Sequence, residues 1–88
     1  MYYFCFTLPT CIRCPAVKEF LLAHSEIKGE LIDASQPTGL LLAQQYQVTS
    51  APTVIIFEDQ PTTNQTPLEL GRFFEKYELE EFWKKVGG

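Results

Sequence analysis

The chain has 88 residues, 45% of them hydrophobic, and eleven Asp and Glu outnumber seven Lys and Arg to give a formal net charge of -4. That length supports a single domain over residues 1–88 with a modest core, and the scattered basic residues leave no electrostatic footprint for nucleic acid. No apolar run approaches the roughly 20 residues that cross a bilayer, and Met1-Tyr2-Tyr3-Phe4 lacks a positive leader region, so the expectation is a soluble, cytoplasmic chain that engages neither nucleic acid nor membrane.

Tyr2-Tyr3-Phe4-Cys5-Phe6-Thr7 is aromatic and β-favouring without alternation, which predicts a central strand covered on both faces. Leu8-Pro9-Thr10 breaks it. From about Cys11 to His24 the apolar Ala16, Val17, Phe20, Leu21 and Ala23 fall mainly on one helical face, with Lys18 and Glu19 between them. Pro15 is tolerated if that helix starts at Cys11 or Ile12, because the first turn has backbone donors to spare. Glu26 to Gly29 connects to a short strand, Glu30 to Asp33. Strand, helix and strand together imply a parallel, right-handed βαβ unit.

Ser35-Gln36-Pro37-Thr38 supplies turn and capping residues for a second helix, Gly39 to Tyr46, about two turns long. Gln47 to Pro52 then leads into Thr53-Val54-Ile55-Ile56-Phe57-Glu58, the strongest buried-strand pattern in the chain, expected beside the first strand. Asp59 to Gln65 reads as a polar hairpin connection. Thr66 to Phe74 follows as an antiparallel edge strand with Pro67 at its outer start and Gly71 as a candidate bulge. In the last helix Leu79, Phe82, Trp83 and Val86 are spaced i, i+3, i+4, i+7, while Glu78, Glu80, Glu81, Lys84 and Lys85 face water. Gly87-Gly88 reads as a frayed end.

The chemistry concentrates in Cys11-Ile12-Arg13-Cys14-Pro15. Three cysteines, two of them close together, fit a reactive pair plus one spare better than the disulfide framework of a secreted domain. At a helix start the first thiol gains from the helix dipole, and the second can trap it as a disulfide. A redox pair is the leading reading; a structural metal site and inert thiols are the others. Arg13 could lower the thiolate pKa or hold an acidic partner, or simply be solvated. Cys5 is either a small buried hydrophobe or a third exchanging thiol. His24 suits a helix end beside the last carbonyls; it would complete a zinc site with Cys5, Cys11 and Cys14 only if the helix folded back. Tyr46 and Trp83 have core spacing, and Asp33 reads as a turn residue.

The order β-α-β-α-β-β-α with C-x-x-C after the first strand resembles the thioredoxin superfamily in its minimal, glutaredoxin-sized form. Phe6-Thr7-Leu8-Pro9-Thr10-Cys11-Ile12-Arg13-Cys14 looks like the glutaredoxin active-site turn, and Tyr46-Gln47-Val48-Thr49-Ser50-Ala51-Pro52-Thr53-Val54 looks like the thioredoxin segment ending in a cis proline. The resemblance implies an α/β fold with a four-stranded mixed sheet flanked by helices. It also implies a cis Ala51-Pro52 bond opposite the cysteines, with the backbone before it free to pair with a substrate strand. Cys11 and Cys14 become the catalytic residues, Cys11 as nucleophile and Cys14 as resolving thiol. Arg13, Ala51, Pro52 and Thr53 become substrate contacts. Cys5 occupies the place where thioredoxins carry a buried aspartate.

Glutaredoxins grip glutathione with a lysine three residues before the first cysteine, Thr-Val before the cis proline, and a Gly-Gly-x-Asp-Asp segment after the last strand. This chain has Leu8, Ser50-Ala51 and Gly71-Arg72-Phe73-Phe74-Glu75 in those places. The implied function is a thiol-disulfide oxidoreductase, monomeric and without a bound cofactor or metal, that acts on protein disulfides and takes electrons from thioredoxin reductase. The alternatives are a glutathione-dependent glutaredoxin and a non-catalytic adaptor holding zinc or an iron-sulfur cluster at Cys11 and Cys14.

Overall fold

A computed structural model describes residues 1–62 and 64–86; the expected frayed end at Gly87-Gly88 lies outside the described residues, as does Thr63 in the polar connection. The elements are β1 (Tyr2–Thr7), α1 (Cys14–Ala23), β2 (Lys28–Asp33), α2 (Pro37–Gln45), β3 (Thr53–Phe57), β4 (Glu69–Phe73) and α3 (Lys76–Val86). They follow the expected order. The four strands form one mixed sheet in the order β2-β1-β3-β4. β1 and β2 pair in parallel because α1 returns the chain to the same end of the sheet, whereas β3 runs antiparallel to both β1 and β4.

The unbroken apolar character of β1 and β3 follows from their central position. Successive side chains in a strand point to opposite faces, and both faces are covered. Tyr3, Cys5, Val54 and Ile56 pack with Val17, Phe20 and Leu21 of α1 and Leu79 of α3. Phe4, Phe6, Ile55 and Phe57 pack on the other face with Ile32 and Ala43, against which Leu42, Tyr46 and Val48 close. Tyr46 and Trp83 are both packing residues, as their spacing suggests.

Several boundaries depart from expectation. α1 begins at Cys14, not at Cys11 or Ile12, which places Pro15 in the first turn and leaves Cys11 to Arg13 outside the helix, after a turn from Leu8 to Cys11 closed by the Cys11 N–H donating to the Leu8 carbonyl (3.1 Å). Its buried face is Cys14, Val17, Phe20 and Leu21, with Ala16 and Ala23 exposed. α2 begins earlier, at Pro37, behind a Gln36 that makes no side-chain cap. Ser35 does not cap it either: its N–H and hydroxyl both donate to the Asp33 carboxylate, at 2.9 and 2.6 Å, which makes Asp33 the turn residue it was read as. β2 gains Lys28 and Gly29, and β4 loses Thr66 to Leu68 at its start and Phe74 at its end.

A register shift sets Ile56 opposite Gly71 but Phe57 opposite Glu69, leaving Leu70 as the extra residue of a bulge beside Gly71. On α3, Val86 is exposed where the spacing predicted core. Glu78 does not simply face water: its Oε1 accepts the backbone N–H groups of Phe74 and Glu75 at 2.8 and 3.0 Å, capping the helix start.

Candidate active site

β1 ends at Thr7 and β3 begins at Thr53, with Phe6 directly opposite Thr53 in the antiparallel register. The turn after β1 and the segment before β3 therefore leave the sheet at the same end. This brings Cys11 to Cys14 and Ser50 to Pro52 to one rim, although 36 or more residues separate them in sequence. The Ala51-Pro52 peptide bond is cis, as the resemblance implied. Pro52 and Thr53 are buried, and Ala51 is half-buried. The Thr53 hydroxyl donates to the Ser50 carbonyl (2.7 Å), which ties the start of β3 back onto the segment before it. A cavity of about 170 Å³ opens beside this rim, walled by Leu8, Leu40, Ala43, Val48 and Ala51 among others.

Cys11 and Cys14 are joined as a disulfide, with Cα atoms 5.4 Å apart. Their environments differ. Cys14, the first residue of α1, is 2% exposed, whereas Cys11 is half-buried and flanked by the fully projecting Ile12. The Cys14 backbone N–H points at the Cys11 sulfur (3.1 Å). A helix-terminal amide aimed at a sulfur favours its anionic form, as the helix dipole does. Cys11 is thus the more accessible sulfur and carries a backbone donor, and Cys14 is the covered one.

Arg13 is placed differently from the first of the roles considered for it. Its guanidinium Nη1 meets the Glu75 carboxylate at 2.8 Å, reaching over the connection between β4 and α3. Glu75 is a site-rim residue that the sequence did not reveal. Its partner lies 62 positions away, and the local pattern, a Glu three residues before Glu78, signals only a helix start.

Cys5 has no exposure and lies in the core between the sheet and α1. Burial pushes its thiol up to about 12, against a smaller opposing pull from the Lys18 charge. A thiol that stays protonated and covered behaves as a small hydrophobe. His24 sits at the end of α1 with Nδ1 2.8 Å from the Phe20 carbonyl, against the Phe20 and Trp83 rings, which also touch each other, as a helix-end histidine should. Among the described residues no group of three or more His, Cys, Asp and Glu side chains is placed to hold a metal ion.

No protein-family model matches the chain, and no curated protein matches its sequence. Solved structures do match. Thioredoxin O2 of Arabidopsis thaliana, in its oxidized state, aligns over 99% of this chain and 75% of its own, with 14% identity and a TM-score of 0.78. Thioredoxin 1 of Thermosipho africanus aligns over 98% and 90%, with 22% identity and a TM-score of 0.73. A thioredoxin of Thermus thermophilus aligns over 97% and 72%, with 20% identity and a TM-score of 0.63. Identities this low speak for architecture alone, and on that point the agreement extends over nearly the whole chain: it has the thioredoxin fold, with a C-x-x-C disulfide at the start of its first helix.

Proposed function

We propose that the chain is a thiol-disulfide oxidoreductase acting on protein disulfides, with Cys11 as nucleophile and Cys14 as resolving thiol. The observation that carries this reading is the Cys14 N–H directed at the sulfur of the more accessible Cys11. In the reduced protein the Cys11 thiolate attacks one sulfur of the substrate disulfide and expels the other as a thiolate. The Cys14 thiolate then attacks the Cys11 sulfur of the mixed disulfide and releases the second substrate sulfur. Two electrons pass to the substrate, its two sulfurs take up protons from solvent, and the protein is left with the Cys11–Cys14 bond. No cofactor enters these steps.

Ala51, Pro52 and Thr53 form the opposing platform on which an extended substrate segment would lie, and Arg13 contributes to the rim. We further propose thioredoxin reductase, rather than glutathione, as the electron source. Leu8, Ser50-Ala51 and Gly71 to Glu75 supply neither the lysine nor the acidic pair that a glutathione grip uses, and the cavity against Leu8 is walled mostly by apolar side chains. A single monomeric domain working in the cytoplasm fits this reading, and no helix among the described residues is long and apolar enough to cross a membrane.

Reduction of insulin, followed with NADPH and thioredoxin reductase in one arm and with glutathione, glutathione reductase and NADPH in the other, tests both levels. Turnover only in the first arm is the expected result. Turnover only in the second would replace the proposed donor, and no turnover in either would remove the oxidoreductase reading.

A further inference from the structure

The N-termini of α1 and α3 meet beside the disulfide, and one ion pair joins them. Arg13 is the residue immediately before α1, and Glu75 the residue immediately before α3. Glu75 is fixed from its own side: its N–H donates to Glu78 Oε1 (3.0 Å), and its carbonyl accepts the N–H groups of Glu78 and Leu79 at 3.1 and 3.4 Å. The carboxylate is thus carried on a capped helix start, where an anion is favoured. Arg13 is the freer partner, its side chain 68% exposed against 34% for Glu75. The pair borders a cleft of about 450 Å³ lined by Arg13, Ala16, Glu75, Lys76, Tyr77 and Glu80.

A guanidinium two residues from a nucleophilic sulfur can turn toward it or away from it, and the two orientations give that sulfur different fields. We propose that Glu75 is a positioning residue: by holding the Arg13 guanidinium over the β4–α3 connection it withholds that cation from Cys11, and so sets how readily Cys11 ionises. The inference rests on the reading of Cys11 as the nucleophile. The other titratable and charged groups toward this end of the molecule include Lys18 and Cys14 of α1, Cys5 of β1, Asp33 at the end of β2, Lys76, Tyr77, Glu78 and Glu80 of α3, and Arg72 of β4, which is paired with Glu69 and donates to the Gln47 carbonyl. The Gln47 to Thr53 segment on the opposite side of the turn is uncharged. Arg13 is the cation nearest to Cys11 along the chain, and Glu75 is its partner.

The test is the pH dependence of iodoacetamide alkylation of Cys11 in the reduced 88-residue chain, with the alkylated site read by peptide mass. Glu75→Gln should move the midpoint to lower pH by about 0.4 of a unit, the size expected of a unit charge acting at ~8 Å through well-screened surroundings. Glu75→Asp, which keeps the charge but shortens the reach, should move it the same way. In an Arg13→Ala background the Glu75→Gln shift should be clearly smaller, because only the loss of the carboxylate's own field remains. An unmoved midpoint in Glu75→Gln overturns the proposal. So does a shift of full size in the Arg13→Ala background, which would mean that the carboxylate acts directly. The alkylation profile does not depend on turnover. A chain that fails to reduce insulin yet shows the coupled shift loses its proposed function and keeps this inference, and the reverse pattern does the opposite.

Discussion

The backbone N–H of Cys14 lies 3.1 Å from the Sγ of Cys11, so the first amide of α1 is aimed at the sulfur three residues before it. Pro15 carries no N–H, so at the start of α1 the free amide is that of Cys14 and not that of its neighbour. The proline thus sits directly behind the backbone donor that faces the Cys11 sulfur. Sequence, cap geometry and sulfur chemistry are coupled at this single amide.

The asymmetry between the two cysteines gives opposite phenotypes. Cys11→Ser should lose disulfide reductase activity altogether, because the remaining thiol is 2% exposed. Cys14→Ser should still attack substrate disulfides but stall as mixed disulfides, visible as substrate-sized mass increments that dithiothreitol removes. If Cys11→Ser were the variant that trapped substrate, the two roles would be reversed.

Cys5 should shape the alkaline limit of stability. Its folded pKa is raised by burial to about 12, whereas an unfolded thiol ionises near 8.5. Between those values the unfolded state holds fewer protons than the folded one, so stability falls as pH rises, by at most about 1.4 kcal/mol per pH unit from this group. Below the unfolded pKa the thiol contributes fully. Urea midpoints of the oxidised protein should therefore drop more steeply above pH 9 than those of Cys5→Ala. That variant should be less stable at pH 7 by roughly 1 kcal/mol for the lost packing, and the two curves should converge as pH rises. Parallel curves would show that Cys5 ionises freely.

The fold was legible because the two central strands advertise themselves. A strand covered on both faces must be apolar throughout, and residues 2–7 and 53–57 are the two runs of that kind. The C-x-x-C turn was legible because its chemistry is local. The limits lay where the deciding partner is remote or the signal ambiguous. Spacing could not distinguish a core Val86 from an exposed one at a helix end, nor place the start of α1 more closely than Pro15 allowed. The pairing of Arg13 with Glu75 joins residues 62 positions apart, and both belong to residue types that are usually solvated. Glu78 looked like a surface glutamate because its acceptor role depends on backbone N–H groups that exist only once α3 has formed.

Thr53 offers a probe of the platform opposite the cysteines. Its buried hydroxyl donates to the Ser50 carbonyl at 2.7 Å, closing the Ser50-Ala51-Pro52 segment onto the first residue of β3. Thr53→Val keeps the shape and the strand preference but removes the donor, at a stability cost of about 1 kcal/mol. The looser segment should raise KM for protein disulfides more than it lowers kcat, while leaving the alkylation profile of Cys11 unchanged. A fall in kcat with KM constant would place Thr53 in the chemical step and not in docking.

Gly39 shows how tightly α2 is set against the end of β2. A Cβ there would run into the backbone carbonyl of Asp33 and come within 3.1 Å of Ile32 Cγ2. The backbone carbonyl is the harder obstacle, because Asp33 is held both by its strand pairing to Thr7 and by its turn with Ser35. In an open helix, Gly→Ala would gain about 1 kcal/mol from propensity alone. Here α2 would have to move outward to admit the methyl, at a cost of about 1–3 kcal/mol typical of overpacking. Because Leu40 and Ala43 of the same helix wall the cavity beside Ala51, that movement should also weaken substrate reduction. Thr38→Ala, one residue earlier on the exposed face, serves as the control and should leave both stability and turnover unchanged. A Gly39→Ala variant as stable as the parent in urea would show that α2 and β2 are not in the close contact described.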